Sequence, residues 1–326
     1  NLNPSEVGDA LTFTATVSSG GAPVTTGSVT FSIDGTDFFT TPVSAGGVAT
    51  LNYDTFTAGT YAIVARYVAN ATYATSSASV DQVVSLNATT TTVTSSLNPS
   101  SVGDAVTFTA TVVSGGAPVA SGSVTFSVDG TPVGGAVPVS AAGEATLTTS
   151  TLTAGSHTIE ASYTGLPTYG PSSDDLDQAV DLLVSSTTLT SSDNPSVFGD
   201  SVTFTATVSV NSAPVTAGSV TFSVDGTDVS TVVVSGAGEA VLTTATLSAG
   251  THTVEARYLP TPSTAASVAS LQQDVGQLAS TTTVTSSPNP ADFGDTVTLV
   301  ATVAAGGAPV TSGSVQFSVG GTPVGP

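Results

Sequence analysis

Cysteine, methionine and tryptophan are absent from this chain. Without cysteine there are no disulfides, no thiolate nucleophile and no Cys-ligated zinc or iron–sulfur centre. Lysine is missing too, so Arg66 and Arg257 are the only fixed positive charges against 23 acidic residues, a net charge of −21. A polyanion of this kind is repelled by phosphate backbones and anionic bilayers, which excludes nucleic acid as an expected partner. Charged residues make up only 8% of the chain, so solubility rests on Thr, Ser and Asn. No long apolar run reads as a secretory signal or a transmembrane helix, and no membrane insertion is expected of this segment. Helical periodicity is absent as well.

What is present is repetition. Asn-Pro recurs at positions 3, 98, 194 and 289, that is 95, 96 and 95 residues apart. Gly-Asp follows each time, at Gly8-Asp9, Gly103-Asp104, Gly199-Asp200 and Gly294-Asp295. Ala-Pro-Val starts at Ala22, Ala117, Ala213 and Ala308. Such a period is too long for a solenoid and fits one small domain with its own core. The expected units are residues 1–86, 87–184, 185–278 and 279–326, here repeats 1 to 4. The run TTTTVTSS (Thr89–Ser96) opens repeat 2 and has cousins in repeats 3 and 4, but Asn1 already aligns with Ser96. Repeat 1 is therefore expected to lack its first strand and repeat 4 its second half, as in a piece of a longer protein.

Within repeat 2, AVTFTATVV places Val106, Phe108, Ala110 and Val112 on one side and threonines on the other, the period-two pattern of a half-buried strand. SVTFSVDG does the same with Val124, Phe126 and Val128. Further strands are expected with Ala145 and Leu147, and with His157, Ile159, Ala161 and Tyr163, facing inward, and a last one around Leu176–Val184. Asp34-Gly35, Asp129-Gly130 and Asp225-Gly226 are hairpin turns of the kind that needs positive φ at both residues, and Gly320-Gly321 serves in repeat 4. About seven short strands in roughly 95 residues is the signature of a β-sandwich.

The order Asn-Pro, Gly-Asp-x-Val-Thr-Phe-Thr-Ala-Thr-Val, Gly-Ser-Val-Thr-Phe-x-Val-Asp-Gly and Leu-x-x-Gly-x-His/Tyr-x-Ile/Val-x-Ala-x-Tyr resembles bacterial immunoglobulin-like domain repeats. The resemblance covers nearly the whole chain. It implies an all-β fold of tandem immunoglobulin-like β-sandwich domains, and the short linkers suggest an extended rod. It also implies a place outside the cell or at its surface, in a stalk, spacer, filament or sheath.

Few residues offer chemistry. The two histidines, His157 and His252, occupy the place that Tyr61 holds in repeat 1. Sandwiches often put a corner tyrosine there, so a structural role is expected for all three. No Ser-His-Asp grouping, nucleophile elbow, phosphate loop or His-Glu-x-x-His motif is found, and no enzyme is expected. Glu144 and Glu160, with cousins Glu239 and Glu255, could imitate a carboxylate pair, but repeat 1 has Val48 and Val64 there. Asp174, Asp175, Asp177 and Asp181 cluster near the end of repeat 2. Hard oxygens of this kind suit calcium, the one cofactor to weigh. The cluster lacks a D-x-D-x-D-G loop and does not recur, which favours a solvated acidic edge that discourages strand-to-strand aggregation. Asn70-Ala71-Thr72 and Asn87-Ala88-Thr89 are formal N-glycosylation sequons.

The expected function is non-enzymatic and structural, with other repeats of the same or neighbouring chains as partners. The alternative is an adhesin-type module that binds glycan or another surface protein. Its marks would be the aromatics Phe38, Phe39, Tyr53, Tyr73 and Tyr169.

Overall fold

The computed structural model describes residues 1–325, and every regular element among them is a β-strand. The chain divides into two compact units, Asn1–Asp181 and Leu182–Pro326. The first unit holds repeats 1 and 2, the second repeats 3 and 4.

Repeat 2 shows the full pattern. Its opening strand, Thr90–Ser95, runs antiparallel to Val106–Ser114, which pairs on its other side with Glu144–Thr149. The second sheet places Ser100–Ser101 parallel to the closing strand Ser172–Asp181. Gly155–Tyr163, Ser123–Val128 and Thr131–Pro138 follow in order. Alternation explains the core: Val106, Phe108, Ala110 and Val112 from the first sheet meet Val124, Phe126, Ile159, Ala161 and Tyr163 from the second. The intervening threonines keep strand geometry through their β-branch while their hydroxyls stay wet. The closing strand differs from expectation. It starts at Ser172 and ends at Asp181, because it tracks its neighbour from Tyr163 to Gly155.

The repeated motifs are turn and crossing hardware. Between Ser95 and Ser100 the chain passes from one sheet to the other. Asn98 guides the crossing: its Nδ2 donates to Asp177 O at 2.8 Å and its Oδ1 accepts from Ala179 N at 3.0 Å. Asn3 and Asn194 do the same on their own closing strands. The Asp of each Gly-Asp accepts a backbone N–H three residues upstream, at 2.8 Å for Asp9 and Asp104 and 3.0 Å for Asp200 and Asp295. Asp129 and Gly130 both take positive φ, 51° and 75°, the geometry of a two-residue hairpin. Gly143 has φ +79° and sits where a Cβ would lie 2.7 Å from Val112 O, so only glycine fits.

Repeat 1 keeps the five-stranded sheet, but the other sheet is reduced to Leu11–Thr16 paired with Val48–Tyr53. Repeat 3, in the second unit, repeats the full pattern around Phe204, Phe222 and Tyr258. In repeat 4, Ser280–Ser287 pairs with Thr298–Ala305, and Phe317–Val319 forms a hairpin with Thr322–Val324.

Candidate functional site

The most ordered polar arrangement lies beside the Asp-Gly hairpin. His157 sits on Gly155–Tyr163, and its Nδ1 faces Asp129 Oδ2 at 2.8 Å. Its Nε2 faces the carbonyl oxygen of Thr153 at 2.9 Å. Both partners are acceptors, so both ring nitrogens can donate only in the imidazolium form. Asp129 therefore holds the His157 pKa above its ordinary value, the Thr153 carbonyl adds to this, and burial opposes it. Bonds from His157 and from Thr158 N hold Asp129 below its ordinary value. His252 repeats the arrangement with Asp225 at 2.7 Å and Ser248 O at 2.8 Å. Tyr61 donates to Thr57 O at 3.1 Å, while the Asp34 carboxylate accepts from the Ala62 backbone N–H and not from Tyr61. Each side chain ties a loop carbonyl four residues upstream to its strand. None stands beside a hydroxyl nucleophile activated for attack: Thr153 Oγ1 contacts His157 Nε2 at 3.3 Å, and the same nitrogen already faces a carbonyl.

The other sequence candidates disperse. Asp174 turns toward the opening strand, where its Oδ2 accepts from Val93 N at 2.9 Å. Asp177 accepts from Thr158 Oγ1 at 3.1 Å, and Asp175 and Asp181 are exposed along the strand. Among the described residues no three acidic or histidine side chains are grouped to hold a metal ion. Glu144 and Glu160 lie on different sheets, paired with Thr111 and Ser127. Asn70 uses its carboxamide locally: Nδ2 donates to the Tyr67 hydroxyl, and Oδ1 accepts from Thr72 N and Tyr73 N. Asn87 is half-buried where repeats 1 and 2 meet, its Nδ2 donating to Val7 O and its backbone bonded to Thr168 and Gly170.

Of the five aromatic candidates, Phe38 and Phe39 are exposed, at 52% and 47%. The Phe38 ring stands edge-on to Tyr53 at 5.1 Å, and Tyr53 meets Phe56, which leads into the core. Tyr73 and Tyr169 pack partly against their cores.

A set of residues missed by reading the sequence is fully inside. Gln178 is 0% exposed. Its Nε2 donates to Leu97 O, Ser100 Oγ and Ala179 O, and its Oε1 accepts from Ser95 Oγ at 2.6 Å. Gln273 repeats this set with Asp193 O, Ser196, Asp274 O and Ser191. Gln82, Gln178 and Gln273 stand at one period from each other in the chain, which is the signal that could have found them. They bolt the crossing to the closing strand.

No helix among the described residues is long and apolar enough to cross a membrane. A family model described as bacterial Ig-like domain (group 3) matches residues 1–85, 91–181 and 189–276. Among solved structures, four tandem repeats from the extending region of a large adhesion protein share 17% identity, covering 92% of this chain and 85% of that one, with a TM-score of 0.40. A Ca2+-stabilized adhesin of an Antarctic bacterium shares 18%, covering 87% of this chain and 74% of that one, at 0.30. The ectodomain of mouse nectin-like molecule 4 shares 15%, covering 84% and 97%, at 0.28. No curated protein matches.

Proposed function

The chain belongs to the bacterial Ig-like domain (group 3) family, and from that premise we propose that it is a non-enzymatic structural segment of an extracellular or cell-surface protein. Repeats 1–86, 87–184, 185–278 and 279–326 serve in it as stalk, spacer or filament units. The observation that carries this reading is where the polar residues are spent. In every complete repeat the recurring Asn, Asp, His and Gln side chains bond backbone of their own repeat. Groups committed to holding turns and crossings are not free for chemistry, and sites rather than folds decide function. Pulling the chain by its ends tests the idea. Repeats 2 and 3 should unfold in separate events, each releasing about 90 residues, or about 320 Å at full extension. Release of the whole chain in one event would contradict a string of self-sufficient units.

A second reading, adhesin-type binding of glycan or a surface protein, is favoured by one feature. Phe38 and Phe39 expose apolar rings on repeat 1, and repeats 2 and 3 have Val133 and Val229 near that place. Binding on a glycan array that is lost on Phe38→Ala with Phe39→Ala would support it, and silence across the array would remove it.

A further inference from the structure

The five-stranded sheet of each of repeats 1 to 3 ends in an outer strand that pairs on one side only: Thr36–Pro42, Thr131–Pro138 and Thr227–Val233. Such an edge presents unpaired N–H and C=O groups and is a template for another strand. The ladder tells which residues present them. Val234 N donates to Gly218 O at 3.1 Å, and along an antiparallel strand residues that face the partner alternate with residues that face away. Val232 therefore faces Ser219–Val224, and the N–H and C=O of Thr231 and Val233 point off the sheet. Repeats 1 and 2 keep the same phase, with Val43 N on Gly27 O and Val139 N on Gly122 O, both at 3.0 Å. The outward residue opposite Ser28, Ser123 and Ser219 is Pro42, Pro138 and Val233 respectively. Proline has no N–H to offer, so repeats 1 and 2 carry a blunted edge. Repeat 2 adds Gly134 and Gly135 to the same strand. Repeat 3 has neither device, and Val233 stands 75% exposed.

Charge and register decide what pairs there. A second copy of a chain with net charge −21 is repelled over most of its surface. Val229–Gly238 carries no charge, and the neighbouring Asp228 is answered by Arg257 at 3.4 Å. We propose that repeat 3 pairs through Thr227–Val233 with the same strand of a second copy, antiparallel about a twofold axis, merging two five-stranded sheets into one. The inference rests on the structural reading above and deepens it, naming a neighbouring chain as partner and this edge as the contact. A bulge between Phe222 and Ser223 breaks the alternation near Val229, and Ser235 N is spent on Glu239 O at 2.8 Å. Thr231 and Val233 are the outward residues that remain. The twofold that uses both of them on both chains sets Val232 against its own copy and Thr231 against the partner's Val233. Each such pair exchanges two N–H···O bonds, so about four form. The exposed Val233 is covered in the same step. Asp228 then lies opposite the partner's Gly236, which keeps the two Asp228 carboxylates about 27 Å apart along the strands, beyond the reach of mutual repulsion at ordinary salt.

The contact is small, so association is weak. The sedimentation mass of the full chain should rise toward that of a dimer between about 10 micromolar and about 1 millimolar. Over the same range the amide protons of Thr231 and Val233 should exchange at least tenfold more slowly. Thr40, which stands opposite Thr30 in repeat 1 as Thr231 stands opposite Thr221, should not change. Val233→Pro copies the residue of repeats 1 and 2, removes the N–H and should abolish the rise in mass. Val233→Glu, at the same exposed position, keeps the backbone donor but sets like charges in the contact, and should weaken association at least tenfold. A wild-type chain still monomeric at about 1 millimolar overturns the proposal. So does association that survives both substitutions. Slow exchange at Thr231 and Val233 in a chain that sediments as a monomer also overturns it, since the edge is then covered from within the chain. A monomer whose repeats still unfold one by one under force removes the pairing and leaves the structural reading standing.

Discussion

Repeats 1 and 2 share a sequence pattern and differ in one strand. In repeat 2 the opening strand closes the seam between the sheets, and Phe108, Ala110, Val112 and Ala161 are all 0% exposed. In repeat 1 the corresponding Phe13 and Val17 are 7% and 9% exposed, and Ala15 and Ala65 are only half-buried. The two closing strands diverge in step: Leu176 packs partly on its core, whereas Val80 is exposed. The core that lies under the polar, threonine-rich strand is thus the tighter of the two. That strand contributes less through its own apolar area than through the water it excludes from its neighbours.

The largest effects should come from the core. Phe108→Ala should cost repeat 2 about 3–5 kcal/mol, as a large side chain leaving a closed interior does. In a chain of residues 1–326 alone, Phe13→Ala should cost repeat 1 distinctly less, because no opening strand covers its seam there. Calorimetry of the full chain, with one transition followed per repeat, checks this. Equal losses would mean that the opening strand adds nothing to core integrity.

A smaller difference should follow the buried glutamines. Gln178→Ala removes the bonds to Leu97 O, Ser100 Oγ and Ser95 Oγ at once and should cost about 1–3 kcal/mol. Gln82→Ala loses no acceptor bond at Oε1 and should cost less, measured by urea unfolding at constant slope. A larger loss from Gln82 than from Gln178 would refute the comparison.

The smallest and most specific difference concerns pH. The folded pKa of His157 lies above its ordinary 6.5. Its stabilisation is therefore full below about pH 6.5 and is lost as pH rises through the folded value. Asp129 lies below its ordinary 3.8, so its share is present above about pH 3.8 and fades as pH falls through the folded value. Repeats 2 and 3 should accordingly melt a few degrees higher near pH 5.5 than near pH 8.5. Repeat 1, with Tyr61 in the same place, should not change over that range. His157→Tyr should flatten the profile of repeat 2 and leave that of repeat 3 intact. A profile unchanged by that substitution would place the pH sensitivity elsewhere.

Much of this was legible beforehand, and the limits have a physical cause. Val106, Phe108, Ala110 and Val112 declare their strand because burial on one face imposes a period of two. The Asp-Gly hairpins declare themselves because few residues tolerate positive φ. The closing strand begins earlier than its apolar residues suggest because SSDDLDQAVD carries serine and aspartate next to the seam, where the Thr91 hydroxyl bonds Ser172 and Val93 N donates to Asp174. The aspartates leave a calcium site to be weighed beside the favoured acidic edge because a sequence does not say which face each one takes.

Local rules, written in neighbouring residues, settled the strands, the turns and the period of this chain. What Asn98, Gln178 and Asp174 do was decided by folding, since each bonds a group about 80 residues away. Only when two sheets close does a polar side chain acquire a buried partner, as Gln178 and Gln273 do on Ser95 and Ser191.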